Sequence, residues 1–466
     1  MAPTYERDIL MYGPVYFLFT SFFVKLLGLG IFQFRLVSLL LGILSVFIFK
    51  NILLKHYNVN SLWAKMLSML MFIHSLYHSN LHSGRMDLVA LFFVLGGLFF
   101  LLKNEKVSAF VAGVLFSLAL LTTPRVGVLL VGVPIFLFIN LIKSHFSKND
   151  IYQILIVGLS TISIYTFWFF YAFTDFDGFI SYYSDLIQFV GGSSTIPYVM
   201  YPILFLGASS LIILYNSLRK FNFLTSPLFV IPFTAIVSFH LVVSITSIVY
   251  YALVIPFYLL LFGYALTKIK KRHSVKLFNY DISTAKFFLN PIIAIFTFIF
   301  IFKISIVLIS YSERNPAGIN KFIKNEAKPN STLIGDYKYA YASRLNNIDF
   351  ISYQYNLESK IKETAFINYV NDIEIDYLMI SDNSLINNKF TKQLITEGNF
   401  EKIKEFRNEK NVFIQKIMKM IPIKFDNNYN GVLYQRKNRN NKMNKKNTNT
   451  KRTFKKEPWR VYSELL

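Results

Sequence analysis

The run HSGRMDLVALFFVLGGLFFLLK, from His82 to Lys103, decides how the rest of the chain reads. Between Asp87 and Lys103 it carries no charge, as a helix in a bilayer requires, while Arg85 and Asp87 stand at its mouth. A hydrocarbon core solvates charge poorly, so the two sit at the water boundary together with whatever they bind.

Working outward, apolar runs of bilayer length, about 17–25 residues, recur from Phe34 to Ile309. They fall at roughly 34–54, 61–79, 86–102, 107–123, 126–142, 151–173, 198–217, 223–245, 249–267 and 286–309. The fold class is thus a polytopic α-helical membrane protein with about 10–11 membrane helices. Of 466 residues, 54% are hydrophobic and 17% aromatic, which excludes an ordinary soluble protein. The net charge of +23 is concentrated in short loops and a C-terminal tail, so nucleic acid is a poor partner and the bilayer a good one. There are 0 cysteines, which excludes disulfides and thiolate metal sites. No cleavable signal peptide is visible at the start: Met1–Met11 is polar and contains Glu6, Arg7 and Asp8.

Loop charge sets the orientation. Lys50, Lys55, Lys65, Lys103, Lys106, Lys143, Lys148, Arg219, Lys220 and the Lys268–Lys276 cluster fall in one alternate set of loops. The other set has only Arg35, Arg85 and Arg125 as cations, with Asp87, Asp175, Asp177 and Asp185. The positive-inside rule makes the first set cytoplasmic and turns the second outward, together with everything beyond Ile309. Residues 13–32 are long enough to span, but spanning would invert that assignment. A helix along the outer surface, with Lys25 snorkelling, fits the charges better. Residue 1 then starts outside, and a first membrane helix ahead of Met1 is the expectation.

Four regions follow: an outer N-terminal segment with its interfacial helix (1–33), the membrane domain (34–309), an extracytoplasmic α/β domain (310–435) and a basic tail (436–466). The third alternates strand and helix patterns. Strands are expected at Ser331–Asp336, Ile348–Ser352, Asp376–Ser381, Lys402–Phe406 and Val412–Lys416, and helices at Glu363–Val370 and Lys389–Thr396. The Asn/Lys-rich tail cannot bury a core and reads as disordered.

Three outward features are candidates for chemistry. They are Arg85 with Asp87; Leu121-Thr-Thr-Pro-Arg-Val-Gly127, which presents Arg125; and the N-terminal Tyr5–Asp8 and Met11–Tyr16 stretches. An arginine pair at the membrane boundary suits a phosphate, because guanidinium offers planar, multidentate donors. A nearby carboxylate suits a general base or a group that orients a sugar. An Arg–Asp pair that only anchors helix ends accounts for the same residues, and spacing does not separate the two.

The ordered set of segments resembles the type C glycosyltransferases, in their dolichyl-phosphate-mannose–protein mannosyltransferase-like and aminoarabinose-transferase-like branch. Tyr12-Gly-Pro14-Val-Tyr16 stands where that family has His/Lys-Pro-Pro-Leu, and Phe34-Arg35-Leu-Val-Ser38 where it has Arg-Leu-Pro-Ser. Asp87 matches its outward aspartate, Leu121–Arg125 its Leu-Thr-Lys-Gly-Pro, and Tyr250-Tyr251-Ala-Leu-Val-Ile-Pro256 its late Tyr-x-Leu-Pro-x-x-Pro. The resemblance implies transfer of a sugar from a polyprenyl-phosphate donor to a protein, glycan or lipid acceptor at the outer face of a bacterial cytoplasmic membrane. It assigns Arg125, Arg85 and Lys303 to the donor phosphate. Tyr12, Pro14, Tyr16, Thr123, Tyr250 and Tyr251 fall to substrate binding, and Asp87 to the reacting groups. The family's acidic residue, its presumed base, follows the first membrane helix and would precede Met1, with Glu6 or Asp8 as substitutes. Thr123 replaces the family lysine, and Arg125 supplies the charge two positions on. A polysaccharide polymerase or ligase, a lipid-linked transporter or an inactive relative is the alternative.

His74, His78 and His82 recur at helical spacing, but they lack the third-ligand and supporting pattern of a metal site and read as interfacial polar residues. No cofactor is called for; a divalent metal is left open. Tyr182, Tyr183 and Asp185 fit either sugar stacking or an interfacial aromatic belt, and Asp336-Tyr337 reads as a turn.

Overall fold

The computed structural model describes residues 14–28, 30–172, 200–217, 224–242, 250–268, 274–277, 280–309, 315–352, 375–381, 392, 395–407 and 429–437. Glu6, Asp8, Tyr12, Tyr182, Tyr183, Asp185, the expected helix 363–370, the expected strand 412–416 and the basic tail lie outside them. The described residues group into two compact units, up to Phe300 and from Ile301 onward.

The first unit is helical: α1 (Pro14–Leu27), α2 (Ile31–Lys55), α3 (Ser61–Ile73), α4 (Ser75–Ser83), α5 (Met86–Leu101), α6 (Lys106–Leu120), α7 (Gly127–Leu130), α8 (Gly132–Lys143) and α9 (Lys148–Ala172). α10 (Tyr201–Ser217), α11 (Pro227–Val242), α12 (Tyr251–Lys268) and α13 (Thr284–Ile309) follow, the last preceded by a hairpin of β1 (Ser274–Leu277) and β2 (Tyr280–Ser283). Each of the ten apolar runs falls on helix. Among the described residues, 4 helical stretches are long and apolar enough to cross a membrane alone, Arg35–Lys55, Pro124–Lys143, Lys148–Trp168 and Tyr251–Lys268. The broken pair α4–α5 makes a fifth, and shorter apolar helices account for the rest. Large apolar side chains face outward, Phe167 at 78% exposure and Phe298 at 70%. Water would penalise that surface and hydrocarbon accepts it. The protein is an integral membrane protein.

α5 packs between α2 and α6, α9 packs on α6, and α12 packs against α10 and α11. α12 is the central helix, with every residue from Tyr251 to Ala265 buried. α6 and α9 meet backbone to side chain at Gly113, where an added Cβ would come 2.8 Å from the Val157 carbonyl. Small residues give membrane helices this close approach. At 14 residues, α1 is about 21 Å long, shorter than a hydrocarbon core of about 30 Å.

One expectation is corrected. The run 61–79 is not a single helix: it breaks at His74, whose ψ of 128° leaves the helical region. His74 closes α3 with its backbone N–H and caps α4, its Nδ1 accepting from the Leu76 amide at 3.3 Å. The polar sequence of α4 then belongs to a separate short helix.

In the second unit, β3 (Thr332–Gly335), β4 (Asp349–Ser352), β5 (Tyr377–Ser381), β6 (Phe400–Phe406) and β7 (Gly431–Arg436) form one sheet in the order β4-β3-β5-β7-β6. β3 runs parallel to β4 and β5, while β7 is antiparallel to β5 and β6. α14 (Ala317–Glu326) and α15 (Ala340–Leu345) complete this α/β domain. Its core joins Ile319 and Ile323 of α14 to Leu333, Met379 and Leu433 of the sheet.

Candidate active site

The site is built on a corner. α4 ends at Gly84, whose φ of +71° is the left-handed conformation a helix C-cap needs and glycine adopts at no steric cost. The chain then turns by 113° into α5. Two neighbouring helices pin the corner: the Tyr16 hydroxyl of α1 donates to the Gly84 carbonyl at 2.5 Å, and Ser38 Oγ of α2 donates to the Arg85 carbonyl at 2.8 Å. Burial, with the Asp87 charge adding to it, holds the Tyr16 phenol above its ordinary range, so it stays a proton donor there.

Arg85 is the extended N-cap residue of α5, and Asp87 lies in the helix's first turn, where the macrodipole favours an anion. Arg85 Nε donates to Asp87 Oδ2 at 2.7 Å. The carboxylate is only 1% exposed and the guanidinium 33%. Burial opposes the Arg85 charge, but Asp87 and Tyr250 outweigh it and hold the group above its usual range.

A second element meets the first through one ring. Pro124 cannot continue α6 and forces Thr123 into extended backbone, φ −155° and ψ 125°. The single turn Pro124–Val126 that follows carries Arg125. Its guanidinium carbon lies 4.4 Å from the centroid of the Tyr250 ring, and that of Arg85 lies 5.3 Å from the same centroid. Tyr250, directly before α12, therefore gathers two guanidiniums.

Each of the three elements also holds a buried oxygen with no hydrogen-bond partner among the described residues: Asp87 Oδ1, Thr123 Oγ1 and Tyr251 Oη. Each is within two residues of Arg85, Arg125 or Tyr250. An unmatched buried polar atom costs about 1–3 kcal/mol, so Asp87 Oδ1, on the carboxylate that Arg85 pairs, marks a place shaped for a polar ligand beside the cations.

The structure thus brings together Arg85 and Asp87 with Arg125 and Tyr250. Tyr16 reaches the Gly84 carbonyl beside them, while Thr123 and Tyr251 are their neighbours in sequence. Pro14 opens α1. Lys303 is half-buried on α13, in the second unit. His78 and His82 lie together on α4 with rings 5.4 Å apart, while His74 is used as a cap and stacks on Phe296. Sequence reading passed over His240 on α11, whose Nε2 lies 2.8 Å from the Tyr258 hydroxyl. A lone imidazole in an otherwise apolar helix was the available signal.

No protein-family model matches the chain, and no curated protein does. Two solved structures share its fold. The crystal structure of ArnT from Cupriavidus metallidurans bound to undecaprenyl phosphate is 12% identical, with a TM-score of 0.53 over 91% of this chain and 88% of that one. The apo state of the same protein gives a TM-score of 0.57 at 12% identity, over 91% and 87%. The likeness spans both the helical unit and the α/β domain, and it is a likeness of fold.

Proposed function

We propose that this chain is a membrane glycosyltransferase that moves a sugar from a polyprenyl-phosphate donor to a protein, glycan or lipid acceptor at the outer face of the membrane. The observation that carries this reading is the paired Arg85 and Arg125 on Tyr250, beside a buried Asp87 with one oxygen unmatched. The fold shared with a protein crystallised on undecaprenyl phosphate supports it.

In this reading the lipid donor enters sideways from the bilayer, and its phosphate is held by Arg125 with Arg85. The bond between the anomeric carbon and the phosphate oxygen breaks, and its electron pair goes to the phosphate. The guanidiniums stabilise the charge that develops there. The acceptor oxygen forms the new bond from the opposite face, with inversion. Asp87 Oδ1 orients a sugar or acceptor hydroxyl, and Glu6 or Asp8 are this chain's candidates for taking the acceptor proton. Tyr12, Pro14, Thr123, Tyr250 and Tyr251 line the substrate path, and Tyr16 holds the corner that aims Arg85 and Asp87. The loop-charge asymmetry supports an extracytoplasmic α/β domain on a bacterial inner-membrane protein.

The test is sugar transfer from a polyprenyl-phosphate donor in membranes containing the full chain, Asp87→Asn or Arg125→Ala. Loss in both supports the reading. Wild-type transfer by both variants overturns the site.

A further inference from the structure

We propose that Lys55 and Lys103 form a second phosphate site, at the opposite boundary of the bilayer from Arg85, that takes the headgroup of an anionic phospholipid. α2 joins the two ends of the bundle. Its Ser38 holds the Arg85 carbonyl at the corner, and Lys55 ends the helix about 26 Å further along, close to the hydrocarbon thickness of about 30 Å. α5 packs beside it, with Asp87 in its first turn and Phe99 in its last. Each helix is followed by a left-handed asparagine, Asn58 with a φ of 54° and Asn104 with a φ of 58°. The backbone caps its own last turns: the His56 and Tyr57 amides donate to the Ile52 carbonyl at 3.0 and 3.2 Å, and the Lys103 amide to the Phe100 carbonyl at 3.1 Å. The lysine side chains are thus left for another purpose.

They converge from two helices on one ring. Lys55 Nζ lies 5.7 Å and Lys103 Nζ 5.2 Å from the centroid of Phe99. Lys50, Lys106 and Lys268 each have a ring of their own, at 5.4, 5.3 and 5.3 Å, the arrangement of a lysine that simply snorkels. Two ammoniums on one ring repel each other, and neither has an ion-pair partner among the described residues. Glu105, the carboxylate nearest Lys103 in sequence, accepts from Ser108 Oγ at 3.0 Å. His56 registers the surplus charge. Its ring lies 5.2 Å from that of Phe99. Burial first, then the Lys103 charge and more weakly that of Lys55, hold its imidazole below the ordinary range, against the Phe99 carbonyl that favours its proton. A phosphate between the two ammoniums relieves this repulsion, and at a bilayer boundary that phosphate is a lipid headgroup.

The experiment places the full chain in phosphatidylcholine nanodiscs and titrates in phosphatidylglycerol. Native mass spectrometry follows the lipid retained, and NMR across pH follows the His56 imidazole, assigned by loss of its signal in His56→Gln. Phosphatidylglycerol affinity should fall roughly fivefold in Lys55→Gln or Lys103→Gln and about thirtyfold in the double variant, the scale of one and two cations at an anionic surface. Lys402→Gln with Lys404→Gln, on exposed positions of β6, should change nothing. In the wild type the His56 titration midpoint should rise as phosphatidylglycerol is added. In the double lysine variant it should start higher and move no further. Equal retention by the wild type and the double variant, or a wild-type midpoint that stays still, overturns the site. The full shift produced by inorganic phosphate in phosphatidylcholine discs overturns the lipid as its occupant.

Discussion

Two carboxylates, Asp87 and Asp336, show how differently the two units use the same group. Both are nearly buried, at 1% and 9% exposure. Asp336 leaves the end of β3, accepts from Ser381 Oγ of β5 at 2.9 Å, and takes the Tyr339 amide on its backbone carbonyl. It ties two parallel strands together and closes a turn. Asp87 has a guanidinium on one oxygen and nothing among the described residues on the other, beside a second arginine on a shared ring. Burial alone does not mark a functional carboxylate; an unmatched oxygen next to surplus positive charge does.

The sharpest way to break that contrast is to neutralise each in turn. Asp87→Asn should cut sugar transfer by at least about 100-fold, the scale of losing one preorganised electrostatic group, whereas Asp336→Asn should stay within about twofold of wild type. Equal losses, measured as initial rates at matched protein levels, would erase the distinction. Stability provides the next largest effect. Arg85→Ala leaves the Asp87 carboxylate buried without its cation; breaking a buried pair costs about 3–5 kcal/mol, reduced here to about 2 kcal/mol because Arg85 is 33% exposed. Chemical denaturation in detergent reads this, and combining it with Asp87→Ala should recover part of the loss. In the other unit, Ser381→Ala should cost about 1 kcal/mol and leave transfer intact.

The sequence was legible where the physics is local. Helix-length apolar runs follow from composition, and all ten landed on helix. The Arg85–Asp87 pair lies two residues apart at a helix start, so its meeting was foreseeable. In the α/β domain, the strands at 332–335, 349–352, 377–381 and 400–406 matched runs of alternating or continuous apolar residues. Long-range geometry was not legible. Nothing near Tyr250 announces that its ring holds Arg85 and Arg125, since those contacts join segments more than a hundred positions apart. The break at His74 escaped because histidine is not a usual helix cap and the apolar pattern runs through it. β7 was missed because Gly431–Arg436 abuts the basic tail, whose polarity set the boundary one residue short of the strand's end. Tyr250 and Tyr251 entered as one motif. The structure divides them, the Tyr250 ring gathering two guanidiniums and the Tyr251 ring packing against Phe239 and His240.

The smallest effect sharpens the contrast at its most local point. Tyr16 reads as a substrate-binding residue in the sequence, yet its hydroxyl donates to the Gly84 carbonyl at the corner that aims Arg85 and Asp87. Tyr16→Phe keeps the ring against the bundle and removes that hydrogen bond, so stability should fall by only about 1 kcal/mol. The corner is also pinned by Ser38 on the Arg85 carbonyl, which stays in place. Transfer should therefore drop less than tenfold, the loss appearing in the turnover rate, because a looser corner misaligns Arg85 and Asp87 without removing a contact to substrate. A rise in donor KM at unchanged turnover would instead make Tyr16 a direct donor contact. Steady-state rates across donor concentration separate the two, and a Tyr16→Phe/Ser38→Ala double variant that loses more than the sum of its parts would show that the corner's rigidity is the shared cause.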